Sequence, residues 1–268
     1  MQEPTRIAAS PSSLTLHALT GIPIAQPGDD PAALVLAALA RHDLELADGD
    51  VVVIASKLVA RAEGRFVDLS TLAISDEAAA LAAEIDQDPA LVALILDHSA
   101  SISRKAPGAL IVRHRLGFIA ANAGIDLSNS QPLDAPPGSG PWALTLPADP
   151  DRSAADIRAA LEAASGAAIG LIVSDSFGRP FREGTVGVAV GLSGLPALWD
   201  QRGGADLFGR TLEHTITALA DQVAAAADLL AGQAAEATPA VLVRGLTFTP
   251  APSSARDLDR PPHKDLYA

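Results

Sequence analysis

The chain alternates between short apolar runs and longer segments in which apolar residues recur every three or four positions. Short runs bounded by turn residues predict β-strands, and they occur as LTLHAL, VVVIA, ALIV, FIAA, PWALTLP, IGLIVSDS and VLVRGL. ALIV and FIAA are close enough in sequence to predict a hairpin, and the glycine-rich FGRPFREGTVGVAVGLSG is compatible with two short strands. The strand in IGLIVSDS is predicted to end at Asp175 and Ser176.

Helical spacing marks five other segments. They are PAALVLAALARHD, DEAAALAAEI, DPALVALILDHSA, DPDRSAADIRAALEAASG and the stretch 207–230. In the last stretch, intervals of three and four separate the apolar residues, which predicts one helix with one buried face. These residues are Leu212, Ile216, Leu219, Val223, Ala226 and Leu230. Asp29 and Asp30 both precede the first helical segment and are the candidates for its N-cap, and Asp76 and Asp88 are the predicted N-caps of the next two helices.

Strands and helices mix without a strict alternation of strand, helix and strand. This order favours an α+β fold, with mixed or antiparallel sheets and packed helices, over a doubly wound sheet. The sequence shows neither an internal repeat nor a clear linker. Residues 14–250 are therefore expected to form one domain, with a flexible tail over 1–13 and a polar tail over 251–268.

The charge balance narrows the classes of partner. The chain has 268 residues with 19 Lys and Arg against 32 Asp and Glu, a net charge of −13. This balance argues against nucleic acid or an anionic membrane as the main partner. Cysteine is absent, which excludes disulfides and thiolate chemistry. No apolar stretch reaches the length of a membrane span and no signal peptide is visible, so a cytoplasmic protein is expected.

Polar clusters after apolar runs are the candidate chemistry. Asp126 and Asp175 each end an apolar run, and oxygen ligands without cysteine suit Mg²⁺ or Mn²⁺. Such residues are also common as turn or capping residues. Lys57, Arg61 and Arg65 have an alternative interpretation as a solvated strand face. The glycine-rich stretches match neither the P-loop nor the dinucleotide fingerprint, and the histidines lack zinc-site spacing.

Several blocks together resemble the coenzyme F-420-0:L-glutamate ligases, also called gamma-glutamyl ligases. They are GIPIAQPGDD, DGDVVVIASKLVARAEGR, GFIAANAGIDLSN, LPADPDRSA, GLIVSDSFGRPFREGTVGVAVGLSG, RGGADLFGRTLEHT and AAADLLAGQAAEATPAVLVRGL. They follow one another in the family's order and cover about Leu16 to Leu246. The combination of AEGR, NAGID-SN and SDS-GRPFR-G is specific, and the domain resembles the stand-alone form of the family.

The resemblance implies a reaction. Such enzymes use GTP to join L-glutamate to the terminal carboxylate of coenzyme F-420-0, a deazaflavin that carries a lactyl phosphate, and then add further γ-linked glutamate. An acyl phosphate is the implied intermediate, and GDP and phosphate are released. Two divalent ions, Mg²⁺ or Mn²⁺, and K⁺ are the implied cofactors, because metal ions neutralise phosphate oxygens and hold the donor and the acceptor in line.

The resemblance also assigns residues to roles. Lys57, Asp126 and Asp175 match catalytic positions. The matching nucleotide contacts are Ile22, Pro23, Ile24, Ala25, Ser56, Lys57, Arg61, Asn129 and the loop Ala231, Gly232, Gln233, Ala234, Ala235, Glu236, Ala237 and Thr238. Arg61 keeps the positive charge at a position where the family commonly has Lys.

Four residues match metal ligands, and the family pattern also implies an assembly. Asp126 and Asp175 match the ligands of one ion, and Ser176 and Gln233 match ligands of a second ion. Gln233 supplies a neutral oxygen where some members have Glu. The resemblance implies an intertwined homodimer. A non-catalytic protein of the same fold that binds a nucleotide or a deazaflavin is the alternative.

Overall fold

The structure is a computed structural model, and it describes residues 12–264. The tail predicted over 1–13 lies almost entirely outside the described residues, as does 265–268. The α-helices of the described part are α1 (Pro31–Arg41), α2 (Ser56–Ala62), α3 (Asp76–Ile85), α4 (Pro89–His98), α5 (Pro150–Ser165) and α6 (Leu219–Ala231). None of these described helices is long and apolar enough to cross a membrane.

Twelve strands fall within residues 12–264. They are β1 (Thr15–Ala18), β2 (Val51–Ala55), β3 (Phe66–Asp68), β4 (Ser99–Ala106), β5 (Ala109–His114), β6 (Ile119–Ala121), β7 (Trp142–Leu144), β8 (Gly170–Arg179), β9 (Arg182–Ser193), β10 (Trp199–Asp200), β11 (Ile216–Thr217) and β12 (Ala240–Arg244). Short 3-10 turns cover Leu69–Thr71, Asn122–Gly124, Ala255–Leu258 and Pro262–Lys264.

A five-stranded mixed sheet in the order β1-β12-β2-β8-β9 forms the centre of the fold. β2 and β8 run parallel, with Val51 opposite Gly170 and Ala55 opposite Ser174. The other neighbours in this sheet run antiparallel. The arrangement confirms the predicted α+β fold with mixed sheets, and β5 and β6 pair antiparallel as the predicted hairpin requires.

Apolar side chains cover both faces of this sheet. Val52, Ile54 and Leu171 belong to the cluster that packs under α1, α2 and α5. Val53 and Ile172 belong to the opposite cluster, which packs under α6. Successive strand residues point to opposite faces, so a strand that is buried on both sides must be apolar throughout. This explains the unbroken apolar run of β2.

A smaller layer lies beside the central sheet and leads to the Asp126 loop. α3 and α4 pack on the three-stranded sheet β4-β5-β6, with Ile85 and Ile95 in one cluster with Leu110 and Val112. After β6, a 3-10 turn leads into Asp126. The backbone of Asp126 exchanges two hydrogen bonds with Leu144 of β7 at 2.9 and 2.8 Å.

Local signals placed most helix starts correctly. Asp30 and Asp88 cap α1 and α4 as predicted, because each carboxylate accepts N–H groups of the first turn. Asp76, however, is not a cap. Ser75 caps α3 by accepting the N–H of Ala78 at 3.1 Å, and Asp76 becomes the first helical residue, where its charge favours the helix N-terminus.

The helix predicted over 207–230 is wrong in its first half. α6 begins only at Leu219, and β11 and a tight turn precede it. In this turn the Asp206 carboxylate accepts the N–H groups of Phe208 and Arg210 at 2.8 and 2.9 Å. An aspartate that captures nearby amides offers the backbone an alternative to helix formation.

One strand prediction needs correction. β8 does not end at Asp175 and Ser176 but continues to Arg179, because it pairs with β9 in a long hairpin. The stretch FGRPFREGTVGVAVGLSG does hold two strand segments, the end of β8 and β9, but β9 is long rather than short and its register shifts opposite Val173 and Ser174. Hairpin pairing therefore extends the sheet through residues that looked like a polar loop.

β9 is an edge strand, and carboxylates close its free side. Three outward N–H groups of β9 have no neighbouring strand and are accepted by aspartates of α5 and α6. The pairs are Gly187 with Asp228 at 3.1 Å, Ala189 with Asp221 at 2.9 Å and Leu192 with Asp151 at 2.9 Å. An open strand edge is a template for pairing with another chain, and this edge is capped.

Part of the segment predicted as a tail over 251–268 packs on the body of the protein. Ser254 caps the 3-10 turn Ala255–Leu258 and donates its hydroxyl to Asp151 at 2.6 Å. Leu258 packs against the apolar cluster under α6. The C-terminal segment is thereby fixed beside α5 and β9.

Candidate functional site

Loops from four strands meet at one end of the central sheet. β2 and β8 are parallel, so the residues after Ala55 and Ser174 lie side by side. β12 begins at this end, where Ala55 donates its N–H to the carbonyl of Pro239 at 2.8 Å. β1 ends here, and Leu19 donates to the carbonyl of Ala240 at 2.9 Å. Ligands commonly bind beyond the carboxyl ends of strands in open sheets covered by helices, which makes this end the candidate site.

This end collects most of the residues that the sequence singled out. Grouped by strand, they are Ile22, Pro23, Ile24 and Ala25 after β1, the loop 231–238 before β12, Ser56 and Lys57 after β2, and Asp175 on β8. The loop with Asp126 and Asn129 reaches the same end from the side layer, through contacts with Lys57 and Arg61.

Ser56 and Lys57 begin α2 directly after β2, with no intervening loop. The alternative that Lys57, Arg61 and Arg65 line a solvated strand face is therefore wrong. Lys57 and Arg61 lie on a helix, and Arg61 is only 5% exposed. The direct passage from strand to helix holds the Lys57 side chain at the end of the sheet.

Lys57 and Asp126 form an ion pair, with 2.5 Å between Nζ and Oδ2. Lys57 also donates to the carbonyl of Ser128 at 2.9 Å. The second carboxylate oxygen of Asp126 accepts the N–H and the hydroxyl of Ser128 at 2.7 and 2.8 Å. An aspartate that binds the backbone two residues ahead stabilises a turn. The turn therefore fixes the Asp126 carboxylate toward Lys57.

Asp175 lies on the face of β8 that turns toward α2, and Ser56 donates its hydroxyl to the carboxylate. The pKa of Asp175 is raised to about 7, mainly by burial and also by the negative charge of Asp126. The N–H of Ser176, the Ser56 hydroxyl and the charge of Lys57 act in the opposite direction. One lysine therefore does not neutralise the two carboxylates, and an added cation would favour the ionised form of Asp175.

The donor atoms fit one divalent cation of the Mg²⁺ or Mn²⁺ type. The described residues contain no cluster of three His, Asp or Glu side chains suited to a metal. The protein ligands would therefore be the carboxylates of Asp126 and Asp175, with the hydroxyls of Ser56 and Ser128 beside them. Mg²⁺ is commonly bound by one or two carboxylates together with substrate phosphates. The uncompensated charge at Asp175 supports this fit.

The structure places Ser176 and Gln233 apart from the two carboxylates. Successive strand residues point to opposite faces, so Ser176 faces α6 while Asp175 faces α2. Gln233 follows α6 and donates its amide N–H to Asp228. Asp228 also accepts the N–H of Gly187, which lies opposite Ser176 in the hairpin. The two residues assigned to a second ion thus share the α6 side of the sheet.

Arg61 connects three loop carbonyls from inside the protein. Its Nε donates to Ala25 at 3.0 Å, and its Nη1 donates to Asn129 and Gln131 at 2.9 and 3.2 Å. The guanidinium lies 4.9 Å from the ring centre of Phe66, and burial lowers the pKa of Arg61. Nη2 has no hydrogen-bond partner among the described atoms. Nη2 is itself buried, so a phosphate could reach it only if the surrounding loops moved, and the contact of Arg61 with a nucleotide stays a prediction.

The loop after β1 combines two anchors with two exposed apolar residues. Ile22 and Ala25 are buried, whereas Pro23 is exposed and Ile24 is 60% exposed. Buried residues fix the loop, so the exposed pair keeps a defined position at the sheet end. Such a surface is suited to contact the flat face of a ligand.

The loop 231–238 folds back tightly after α6. Gly232 ends the helix with a φ of 72°, a conformation that favours glycine. The Glu236 carboxylate accepts the N–H of Ala234 at 2.8 Å, and backbone N–H groups lower the pKa of Glu236. Thr238 is buried where the loop enters β12.

Sequence reasoning missed two residues that shape the site. A Cβ atom at Gly124 would lie 3.1 Å from Leu146 Cδ1 and 3.6 Å from Asp175 Oδ2, and Gly124 has a φ of 64°. The positive φ and the close contact with Leu146 favour glycine at this position, which lies beside Asp175. Asp228, which holds Gln233, was also missed, because its pairing with β9 depends on tertiary contacts. A glycine inside the NAGID block was the available signal for Gly124.

Comparisons with known proteins agree with this architecture. A sequence profile of the family described as F420-0:Gamma-glutamyl ligase matches residues 21–245. A protein of Methanothermobacter thermautotrophicus named Coenzyme F420:L-glutamate ligase is 45% identical over 232 residues, which cover 87% of this chain and 89% of that protein. Proteins with the same name from Methanopyrus kandleri and Halorubrum lacusprofundi are 45% and 41% identical, and cover 90% and 88% of this chain and 92% and 88% of those proteins.

A match of this extent, together with an α+β fold that gathers carboxylates and a lysine at one sheet end, defines the protein as a ligase. The class of ligase can be narrowed further, because the profile covers four of the five central strands, β2, β8, β9 and β12, and the loop that carries Asp126. The chain belongs to the F420-0:gamma-glutamyl ligase family.

Proposed function

We propose that the protein joins L-glutamate to the terminal carboxylate of coenzyme F-420-0 in a reaction that depends on GTP and a divalent metal ion, and then adds further γ-linked glutamate. The names of the similar proteins support the substrates. The juxtaposition of Lys57, Asp126 and Asp175 carries the proposal, because it brings two carboxylates and one ammonium group to a single point.

The chemistry explains why such a site is needed. A carboxylate is a poor electrophile. Its oxygen attacks the γ-phosphorus of GTP, the bond from that phosphorus to the β–γ bridging oxygen breaks, and GDP leaves. The amine of glutamate then attacks the acyl carbon, phosphate leaves with the acyl oxygen, and the amine loses its proton to solvent. A divalent ion would neutralise the phosphoryl oxygens and align the donor with the acceptor.

The residues of the chain have separate tasks in this scheme. Asp126 and Asp175 would hold the ion, and Ser56 fixes the Asp175 carboxylate by a hydrogen bond. The Lys57 ammonium, which lies 2.5 Å from Asp126, is placed to contact a phosphate oxygen once an ion shares the charge of Asp126. Pro23 and Ile24 offer an exposed apolar surface for the guanine base.

A second divalent ion and K⁺ remain part of the proposal. Ser176 and the amide oxygen of Gln233 are the candidate ligands of the second ion. The Gln233 amide nitrogen is tethered to Asp228, which leaves the amide oxygen available. Both residues are neutral, so this ion would depend more on substrate phosphates than the first ion does.

We also propose that the protein functions as a homodimer. Leu207 and Phe208 are 99% and 96% exposed at the tip of a turn that Asp206 holds in shape. Adjacent exposed apolar residues on an ordered turn are typical of a contact surface. Light scattering of the protein and of Phe208→Ser tests the assignment, and a smaller mass for the variant is the expected result.

The reaction is tested directly by mass. Pure protein is incubated with coenzyme F-420-0, L-glutamate, GTP and Mn²⁺, and the deazaflavin product is followed by mass spectrometry. A gain of one glutamyl unit, dependent on both nucleotide and metal, is the expected result. Parallel reactions contain ATP in place of GTP, or Mg²⁺ with and without K⁺.

The matched control is Glu84→Gln, which changes an exposed carboxylate that pairs with Lys105 on the side layer. It should retain activity, whereas Asp126→Asn should lose it. Binding of GTP or of the deazaflavin without any mass gain, under every nucleotide and metal, would support the non-catalytic alternative and refute the proposed reaction.

A further inference from the structure

A cavity of about 930 Å³ lies on the same face of the sheet as Asp175. Phe177 lines it, and Phe177 is the next residue of β8 on the face that carries Asp175. Strand geometry sets their Cα atoms about 7 Å apart. The start of α5 at Pro150 and the C-terminal 3-10 turn at Leu258 form other walls. The cavity therefore adjoins the proposed reaction site without being part of it.

The walls of the cavity suit a flat ring. Phe118 and Phe177 have ring centres 5.0 Å apart and an interplanar angle of 52°. Val188 and Val190 of β9 continue the apolar surface. Small-molecule sites are commonly clefts of about 300–1,000 Å³ with mostly apolar and aromatic walls. Aromatic side chains also stack favourably on planar ligands.

The charges around the cavity indicate how a ligand would be oriented. Asp149, Asp151, Asp221 and Asp259 line the cavity with two arginines. Arg152, one of the two, is paired with Asp156 outside the cavity. A phosphate-bearing tail would be repelled from this acidic surround and attracted to the Lys57 end of β8.

We propose that this cavity binds the deazaflavin ring of the acceptor, with Phe118 and Phe177 against the ring and the phosphate-bearing tail directed along β8 toward Asp175 and Lys57. The inference rests on the proposed function, and it adds a location for the acceptor. It also explains how the terminal carboxylate reaches the reaction site, because the ring and the metal site lie on one face of one strand.

The test uses a substitution that places a larger side chain in the cavity, at a residue that is exposed in the fold. Ala148 lines the cavity and is exposed, so Ala148→Trp adds bulk with little risk to folding. Binding of coenzyme F-420-0 is followed by the polarisation of the ring's own fluorescence, and GTP binding is followed by calorimetry. We expect a loss of deazaflavin affinity of about tenfold or more, with unchanged GTP affinity.

The control is Ala79→Trp on the exposed side of α3, far from the cavity lining, which should leave both affinities unchanged. Ile119→Asp is a second cavity variant at a residue that is 38% exposed, and it should also weaken deazaflavin binding. A second probe is the ring with its ribityl chain but without the lactyl phosphate. Ala148→Trp and Ile119→Asp should bind this probe less tightly than the wild-type protein does, because the ring is the part of the ligand that the cavity holds.

The outcomes separate this inference from the proposed function. If the wild-type protein ligates glutamate but both cavity variants bind coenzyme F-420-0 normally, the cavity assignment is wrong and the function stands. If the wild-type protein neither binds coenzyme F-420-0 nor ligates glutamate, both fail. If Ala148→Trp lowers the mass measured by light scattering, the cavity is a subunit interface, and the assignment is also overturned.

Discussion

Lys57 at the start of α2 and Asp126 in the side layer form an ion pair of 2.5 Å that joins the two halves of the site. If Lys57 contacts a nucleotide phosphate, Lys57→Ala should weaken GTP binding and leave the fold intact. The side chain is 32% exposed, and a melting curve of the variant checks that the fold is kept. Calorimetric titration with GTP measures the effect. Lys105→Ala, which removes the surface pair with Glu84, is the matched control and should bind GTP normally.

Asp126→Asn and Asp175→Asn should each abolish turnover, and the losses should not add, because either change disrupts the same ion. Mn²⁺ should raise the melting temperature of the wild-type protein but not of either variant. Without metal, Asp175→Asn should be as stable as the wild type or more stable at pH 8. Burial and Asp126 raise the pKa of Asp175 to about 7, so the charged form is disfavoured there.

Melting curves with and without Mn²⁺, recorded beside turnover, decide this prediction. A purely structural aspartate would give a different pattern. The metal-free protein would lose stability of about 1 kcal/mol, as for a lost cap, and activity would persist at high metal concentration. Retained metal-induced stabilisation in both variants would refute the shared ion.

His114 should make the protein sensitive to acid. Its ring is 5% exposed and stacks on Phe118 at 4.9 Å, and burial, His98 and Arg115 lower the pKa of His114 to about 4. A lowered pKa in the folded state means that protonation favours unfolding. Above pH 6.5 the free energy of unfolding is not reduced by His114, because the ring is neutral in both the folded and the unfolded protein. As the pH falls from 6.5 toward 4, the free energy of unfolding decreases by up to about 3 kcal/mol.

His114→Asn tests the origin of this loss. The Asn oxygen can accept the N–H of Leu116, which His114 Nδ1 accepts at 2.9 Å, but Asn does not titrate. The variant should be less stable at pH 7, yet its stability should fall less between pH 6.5 and 4. Urea unfolding at a series of pH values measures both, and His214→Asn, at a side chain 94% exposed, is the control.

Gly187 should tolerate no side chain, because α6 lies directly against it. A Cβ atom there would come within 2.8 Å of the carbonyl oxygen of Ala224 and 2.9 Å of Asp228 Cβ. Gly187→Ala should cost about 1–3 kcal/mol of unfolding free energy, as overpacking typically does. Gly178 lies in the same hairpin with nothing within 4 Å of such an atom, so Gly178→Ala should be nearly neutral. Equal losses in denaturant unfolding would contradict the contact.

Features set by neighbouring residues could be predicted from the sequence. Asp30 and Asp88 cap helices because capping needs only the next few residues. The prediction of one helix over 207–230 was wrong in its first half, because the spacing of apolar residues does not reveal that the Asp206 carboxylate accepts nearby backbone N–H groups. The extension of β8 past Ser176 likewise depends on its partner strand β9.

The candidate site could not be predicted from the hydrophobic periodicity of the sequence alone. Asp126 and Asp175 were proposed as a pair through family resemblance, since no local pattern shows that β2 and β8 are parallel neighbours. The alternation of side chains along β8, which sends Ser176 to the other face, follows from the strand assignment alone. The cavity at Phe118 and Phe177 could not be predicted, because its walls come from five separate parts of the chain.

The C-terminal 3-10 turn Ala255–Leu258 has a practical consequence for anyone who shortens the chain. The family profile ends at residue 245, which makes that position an attractive boundary for recombinant expression. A protein cut there would keep Lys57, Asp126 and Asp175, and would lose the Leu258 wall of the cavity and the hydroxyl that Ser254 donates to Asp151. Such a truncated protein would also lose Leu246, Phe248 and Leu258 from the apolar cluster under α6, so its weaker binding would reflect lost core packing as well as an altered cavity.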